Sequence, residues 1–244
     1  MSGRATKHAQ RTSDETAPRP AEHDYPNLVG VRNAEPAALF DAGIAALGGM
    51  SRFVKPGDRV VIKPNASWNI DPSRGATTTP SLIGRIAEHC FEAGARRVSI
   101  FDHTIDTWHL AYEATGMKRY AERSNARLVP GNSESLYQTV QVPGGKNLES
   151  TKVHEVALEA DVLINAPILK DHGSTRMTCA LKNLMGLVWD RWYYHSHGLN
   201  QCIADFPRER FTLIETDICN TDAILHALHA RDGDAIVHLA AKAG

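Results

Sequence analysis

The sequence lacks several patterns by which enzymes and binding proteins are commonly recognised. It has no G-x-x-x-x-G-K-[ST] loop, and no G-x-G-x-x-G follows a predicted strand, so the usual phosphate-loop and dinucleotide signatures are missing. Its four cysteines, Cys90, Cys179, Cys202 and Cys219, form no C-x-x-C pair. An iron–sulfur or structural zinc framework is therefore not expected, and the cofactor stays unknown. Scattered thiols of this kind are typical of a reduced, cytoplasmic protein.

Charge and hydropathy exclude further classes of partner. The 244 residues carry a formal net charge of −1, so no strong global field draws the chain to nucleic acid or to an anionic membrane. No apolar run approaches the length of a bilayer span, and the N-terminus lacks the apolar core of a secretory signal. We therefore expect a cytoplasmic location, with neither a nucleic-acid nor a membrane partner.

The remaining sequence predicts one α/β domain behind a polar leader. Residues 1–27 mix both charge signs with proline and serine and hold few apolar side chains, which predicts a disordered leader. Residues 28–244 alternate strand and helix patterns and contain no internal repeat. Strands are predicted at 28–32, 60–62, 98–102, 128–129, 137–142, 162–166 and 211–215. Helices are predicted at 35–50, 80–94, 222–230 and, in two pieces broken at Gly116, at 108–126.

These elements predict a three-layer fold with a mainly parallel sheet and helices on both faces, a Rossmann-like topology without the dinucleotide fingerprint. Short links around the helix at 80–94 favour a right-handed parallel crossover. The strands after Gly57, Arg97 and Asp161 are expected to be central, because their β-branched runs need cover on both faces.

Polar side chains follow three of the predicted strands, at the point where each strand ends. The pairs are Lys63 with Asn65, Asp102 with His103, and Lys170 with His172. Because the carboxyl ends of parallel strands share one edge of the sheet, we expect these side chains to converge on a pocket.

The segment after Lys170 is predicted to be helical. At 100° per residue, an apolar face of Met177, Leu181, Leu184 and Val188 would lie opposite a polar face of Thr178, Cys179, Lys182 and Asn183. That polar face borders either solvent or the pocket. Lysine suits a phosphate or carboxylate ligand, and Asn65, Thr78 and Asn183 have hydrogen-bonding groups that would orient it. Residues 163–200 carry four lysine or arginine and two aspartate side chains, an excess of two positive charges.

Histidine and aromatic residues follow this segment and leave the function open. His172, His195 and His197 would form a metal site, or they are ordinary loop histidines. Asp205 would orient a histidine or lysine, or simply end a helix. The aromatic side chains of residues 189 and 192–194 would form a packing element, a lid or a stacking platform.

Three functional hypotheses fit these residues. The first is an enzyme acting on a small anionic metabolite, with Lys170 or Lys182 as charge partner and His172 as acid or base. The second is a non-catalytic redox-partner or assembly module that binds an anionic cofactor or another protein. The third is a metal-binding protein that uses the three histidines.

Several ordered motifs resemble one known family. They are Lys63-Pro64-Asn65, Thr77-x-x-Pro80, Ala93-Gly94-Ala95, Asp161-Val162-Leu163-Ile164-Asn165, Leu169-Lys170-x-His172, Thr178-x-x-Leu181-Lys182-Asn183 and Gly186. Together they are similar to the domain of unknown function 362 family, from about residue 29 to residue 217. The resemblance implies an α/β domain, found in bacteria and archaea, that often stands beside ferredoxin-type iron–sulfur modules. A ferredoxin-type or other redox partner is thus one expectation.

The same resemblance implies a set of recurrent polar positions. The positions are Lys63, Asn65, Lys170, His172, Lys182, Asn183, His195 and Asp205. This chain also departs from the family pattern in two ways. No cysteine-rich ferredoxin segment is present. After Asp217 the chain is short compared with relatives, so we expect a domain that is either truncated or diverged at its C-terminal end.

Overall fold

A computed structural model describes residues 25–26 and 28–207 of the chain. Its central sheet has four parallel strands, β1 (Arg59–Pro64), β2 (Arg97–Ile100), β3 (Arg127–Leu128) and β6 (Val162–Ala166), in the order β3-β2-β1-β6. Two antiparallel pairs are added, β4 (Tyr137–Gln141) with β5 (Ser150–His154) and β7 (Lys170–His172) with β8 (Arg176–Thr178). This arrangement confirms the predicted α/β class with a mainly parallel sheet.

Helices flank the sheet. They are α1 (Pro36–Ala46), α2 (Pro80–Glu92), α3 (Trp108–Ala114), α4 (Met117–Arg123), α5 (Glu155–Leu158), α6 (Ala180–Asn183), α7 (Arg191–Ser196) and α8 (Leu199–Asp205). Short 3₁₀ helices occur at Met50–Arg52, Pro72–Arg74, Glu134–Leu136 and Leu184–Leu187. No helix among the described residues is long and apolar enough to cross a membrane.

The alternation of side chains along β1 produces two hydrophobic cores. Val60 and Ile62 point to one face of the sheet, where they pack with α1, α2 and α4. Val61 points to the other face and packs with the segment that runs from β4 to α8. A strand whose successive side chains are all buried needs cover on both faces, and the two cores provide it.

Local signals set several helix ends as predicted. Helix α2 begins with Pro80, directly after Thr79, and proline fits the first turn because its missing N–H has no helical partner there. Gly116, with φ of 76°, separates α3 from α4 in a left-handed conformation that glycine adopts without a Cβ penalty.

The structure corrects three local predictions. Residues 28–32 form no strand. The continuous helix predicted beyond residue 177 is wrong, because the chain forms the β7–β8 hairpin, then α6 and a 3₁₀ turn. Within the described residues β6 is an outer strand of the sheet rather than a central one. The predicted strand at 211–215, the helix at 222–230 and nearly all of the leader lie outside the described residues.

Candidate functional site

A buried ion pair lies at the carboxyl ends of β1 and β2. Lys63 Nζ is 2.9 Å from Asp102 Oδ1, and both side chains are 1% exposed. The second carboxylate oxygen, Oδ2, accepts hydrogen bonds from the backbone N–H of Ala66 (2.7 Å) and the hydroxyl of Ser67 (3.3 Å). Because two isolated charges at this depth would be strongly unfavourable, each requires the other.

The amide of Asn183 connects this ion pair to the neighbouring strands. Its Oδ1 accepts from Lys63 Nζ (3.3 Å) and from Asn65 Nδ2 (3.1 Å). Its Nδ2 donates to the Lys63 carbonyl oxygen (3.1 Å) and to Asn165 Oδ1 (2.8 Å). One buried side chain from α6 therefore joins the ends of β1 and β6. We call Lys63, Asn65, Asp102 and Asn183 the floor of the site.

Lys170 supports the floor from the hairpin side. Its Nζ donates to Asn65 Oδ1 (2.9 Å) and to the carbonyl oxygen of Ala76. Burial, followed by the nearby cations Lys182 and Lys63, lowers the pKa of Lys170 to about 8, although Asp102 acts in the opposite direction. The Lys170 ammonium is thus held by neutral oxygens, and Lys170 does not line the cleft above the floor.

A cleft of about 420 Å³ opens above the floor. Its lining combines the floor with residues from the loops after β1 and β2, the hairpin, the 3₁₀ turn and α7: Lys63, Asn65, Ser67, Asp102, Ile105, His172, Lys182, Asn183, Met185, Gly186, Trp189, Asp190, Arg191, Trp192 and His195. Of the six side chains predicted to converge, Lys63, Asn65, Asp102 and His172 line the cleft, whereas His103 and Lys170 do not.

Two cations, Lys182 and Arg191, form what we call the wall of the cleft. Arg191 is fixed by carbonyl oxygens, since Nη1 donates to His103 O (2.6 Å) and Nη2 to Thr104 O (3.1 Å). Burial, and then the charges of Arg191 and Lys63, lower the pKa of Lys182. Within the described residues, neither wall cation has a carboxylate in ion-pair range, and the Lys182 ammonium has no hydrogen-bond partner.

The hydrogen bonds of His172 define its tautomer. Its Nδ1 accepts from the backbone N–H groups of Ser174 and Thr175, both at 3.2 Å. In the neutral ring the proton must then be on Nε2, which becomes a donor. Burial, Lys182 and His195 lower the pKa of His172, so the neutral form is favoured. The sequence predicts His172 as an acid or a base, and of these two roles a proton on Nε2 fits the donor role.

Four predicted site residues lie outside the cleft lining, and each of them has structural contacts elsewhere. Thr78 accepts from the Asn65 N–H (2.8 Å) and donates to the Ala166 carbonyl (2.7 Å), which ties the loop to the sheet. Asp205 accepts from three successive backbone N–H groups at 146–148. His197 stacks on Tyr193, with ring centroids 3.9 Å apart. Lys170, described above, is the fourth.

The alternative metal site has no support in the geometry. No group of three or more His, Cys, Asp or Glu side chains that would hold a metal ion occurs in the part of the chain that is described. His172 and His195 both line the cleft, but His197 is turned to Tyr193. Moreover, a metal on His172 Nε2 would require the proton to move to Nδ1, where two N–H donors already point.

Sequence reasoning did not select the second wall cation, Arg191, and it left the role of Trp192 open between packing element, lid and stacking platform. The signal for Arg191 was present in the excess positive charge of residues 163–200. Its position depends on the 3₁₀ turn, which brings α7 back over the end of β2, and this turn interrupts the periodicity that predicted a long helix.

Comparisons with known proteins agree with this architecture. The chain is 31% identical over 208 residues to "Thylakoid-associated protein sll1697" of Synechocystis sp., an alignment that covers 79% of this chain and 58% of the relative. The chain therefore spans little more than half the length of that relative. Residues 60–233 match the sequence profile of the family described as "Domain of unknown function (DUF362)". This match covers most of the chain, from β1 through the floor and wall of the cleft to α8 and beyond, and the protein therefore belongs to the DUF362 family.

Proposed function

We propose that the cleft binds a small anionic metabolite or cofactor through its phosphate or carboxylate group. The observation that carries this proposal is the imbalance of charge around the cleft. Lys63 is compensated by Asp102 at 2.9 Å, whereas Lys182 and Arg191 have no carboxylate in ion-pair range within the described residues. Two adjacent uncompensated cations in a half-buried cleft repel each other, and an anion between them would relieve that repulsion.

Neutral donors around the cations suit the same ligand. His172 offers Nε2–H, because its Nδ1 already accepts two backbone hydrogen bonds. Arg191 uses only part of its donor set on the carbonyl oxygens of His103 and Thr104, which leaves further N–H groups for the cleft. Charge-assisted hydrogen bonds from such donors to phosphate or carboxylate are stronger than neutral ones.

The two carboxylates that line the cleft, Asp102 and Asp190, form no ion pair with Lys182 or Arg191. Asp102 has both oxygens engaged by Lys63, Ala66 and Ser67. Asp190 uses Oδ1 to accept from the Tyr193 N–H (3.1 Å), as the N-cap of α7. Burial lowers the pKa of both wall cations and Asp102 opposes this from a distance, but among the described residues no carboxylate comes within ion-pair range of either of them.

The test is thermal unfolding of the wild-type protein and of Lys182→Ala with sodium phosphate or citrate, at constant ionic strength. A ligand at one hundred times its dissociation constant stabilises the native state by about 2.7 kcal/mol. We expect the wild-type melting temperature to rise and the rise to be strongly reduced in Lys182→Ala. Lys118→Ala is the matched control, because Lys118 is an exposed lysine paired with Glu113 on another face.

The proposal is wrong if neither phosphate nor citrate raises the melting temperature of the wild-type protein. It is also wrong if the rise in melting temperature is undiminished in Lys182→Ala. A shift lost equally in Lys118→Ala would indicate nonspecific screening. Micromolar zinc binding that is abolished by His172→Ala would replace the anion proposal with the metal alternative.

We also propose the cytoplasmic location that the scattered cysteines indicate, although the relative's name associates that protein with thylakoids. Cell fractionation tests this location, and recovery of the chain in the membrane fraction would contradict it. The ferredoxin-type partner implied by the family resemblance remains a prediction.

A further inference from the structure

We propose that the anion bound in this cleft carries a planar aromatic body, which stacks on the indole of Trp192. The inference rests on the proposed anion binding and deepens it, because it names the class of ligand: an aromatic phosphate or carboxylate, of which a nucleoside monophosphate is a convenient example. Three features of the cleft support it: its volume, the apolar side chains in its lining and the uncovered indole ring of Trp192.

The cleft is much larger than a simple anion. Its volume is about 420 Å³, whereas a water molecule occupies about 30 Å³ in the liquid. A phosphate held between Lys182 and Arg191 would fill only a small part of that space. Clefts of roughly 300 to 1,000 Å³ are typical of sites for whole metabolites and cofactors. The remaining volume therefore has room for a ligand body beyond the charged group.

Four large apolar side chains line the cleft together with its polar residues. Trp192 and Ile105 line the cleft while being 77% and 53% exposed, and Trp189 and Met185 line it further inside. Trp192 is the most exposed of the large hydrophobic side chains in the described residues. A single exposed apolar residue needs no explanation, but here an exposed indole directly follows a wall cation, Arg191, and borders the same cleft. The cleft therefore combines cations, Lys182 and Arg191, with apolar surface, and this combination matches an amphipathic ligand.

The two indoles differ in how much ring surface they leave for a ligand. Trp189 has one face covered by His103, with centroids 5.2 Å apart and an interplanar angle of 6°. Trp192 has no ring partner in the described residues. Its indole is thus a platform beside Arg191, and planar rings stack favourably on such a surface.

The experiment compares three ligands that differ by one group each: adenosine 5′-monophosphate, ribose 5-phosphate and adenosine. Dissociation constants are measured by isothermal titration calorimetry on the whole chain. Stacking of a base on an aromatic side chain contributes about 1–3 kcal/mol. We therefore expect the monophosphate to bind the wild-type protein at least about fivefold more tightly than ribose 5-phosphate. Adenosine, which lacks the anion, should bind weakly or not at all.

Substitution of the indole separates stacking from charge. In Trp192→Ala the advantage of the monophosphate over ribose 5-phosphate should fall to about onefold, while ribose 5-phosphate binding stays as in the wild type. Trp192→Phe should retain part of the advantage. Trp68→Ala is the matched control, because Trp68 is an exposed tryptophan (40%) that does not line the cleft.

Because the base of one nucleotide is a single example of an aromatic body, benzoate and cyclohexanecarboxylate form a second matched pair. Two results would overturn the inference and leave anion binding intact. The first is that neither matched pair shows a preference for the aromatic member in the wild type, and the second is an advantage of the monophosphate that persists in Trp192→Ala. If no phosphate and no carboxylate binds at all, the proposed function itself fails.

Discussion

Substitution of Gly186 by alanine is the most direct test of how tightly the floor is packed. Gly186 lies in the 3₁₀ turn against the ion pair, and its carbonyl oxygen accepts a hydrogen bond from the His103 N–H at 2.8 Å. A Cβ atom at this position would be 2.0 Å from Asp102 Oδ1, 2.5 Å from Lys63 Cε and 2.6 Å from Lys63 Nζ. These distances are far inside van der Waals contact, so either the turn or the ion pair must move.

Both ways of relieving the clash disrupt buried polar contacts. If the ion pair separates, each charge stays buried without its partner, and losing one member of such a pair costs about 3–5 kcal/mol. If the turn moves away, the hydrogen bond to His103 and the packing of Leu187 and Val188 are lost instead. We therefore expect Gly186→Ala to lower the free energy of unfolding by about 3–5 kcal/mol, or the melting temperature by roughly 6–20 °C for a chain of this size.

Urea denaturation followed by circular dichroism measures this change, with Gly173→Ala as the control. Gly173 is in the nearby hairpin turn, and a Cβ there would meet no heavy atom within 4 Å. Both substitutions add one methyl group at a glycine without a positive φ, so their difference reports mainly the contact with the ion pair. A Gly186→Ala variant within about 1 kcal/mol of Gly173→Ala would refute the close approach described for the floor.

Two further predictions concern the charges of the floor and its support. Lys63→Met and Asp102→Leu should each destabilise the protein strongly, whereas the double variant should recover part of the loss, because it leaves no unpaired buried charge; a double variant as unstable as the sum of the two singles would contradict this. Because the pKa of Lys170 falls from 10.5 to about 8 on folding, the unfolded state binds more protons between these values, so this group makes stability rise with pH from about 8 to 10.5. Denaturation of wild type and Lys170→Met across that range measures the effect, and parallel stability curves would disprove it.

The sequence predicted the frame of the site better than its interior. The β-branched run at 60–62 and the proline after Thr79 are local signals, and β1 and α2 formed where they indicated. The convergence of Lys63, Asn65 and His172 followed from the rule that parallel strands end at one edge, which needs only strand order and direction.

The error in the hairpin has a physical reason. The apolar spacing from Met177 fits a helix, yet Met177 is 47% exposed and lies on β8, while Thr178 is buried. Hydrogen bonds from Lys170 to Asn65 and Ala76 connect residues about 100 positions apart. Such contacts between distant segments override local periodicity, and a single sequence gives no direct signal of them.

The roles of individual side chains were the least predictable part. Asp205 and Thr78 are both buried polar residues bonded to backbone groups, and their residue types do not distinguish this role from ligand binding. His172 was expected to act as an acid or a base, and its residue type did not predict that the turn after β7 directs two N–H groups at its Nδ1.

The division between floor and wall has a consequence for how this site can change over evolution. Asn183 and the Lys63–Asp102 pair join strand ends, so a substitution there affects folding before it affects any ligand. Lys182, Trp192 and His195 project from short helices and make few contacts that the sheet requires. Substitutions of Lys182, Trp192 and His195 can therefore alter ligand preference at little cost in stability, so proteins with the same floor are free to recognise different molecules.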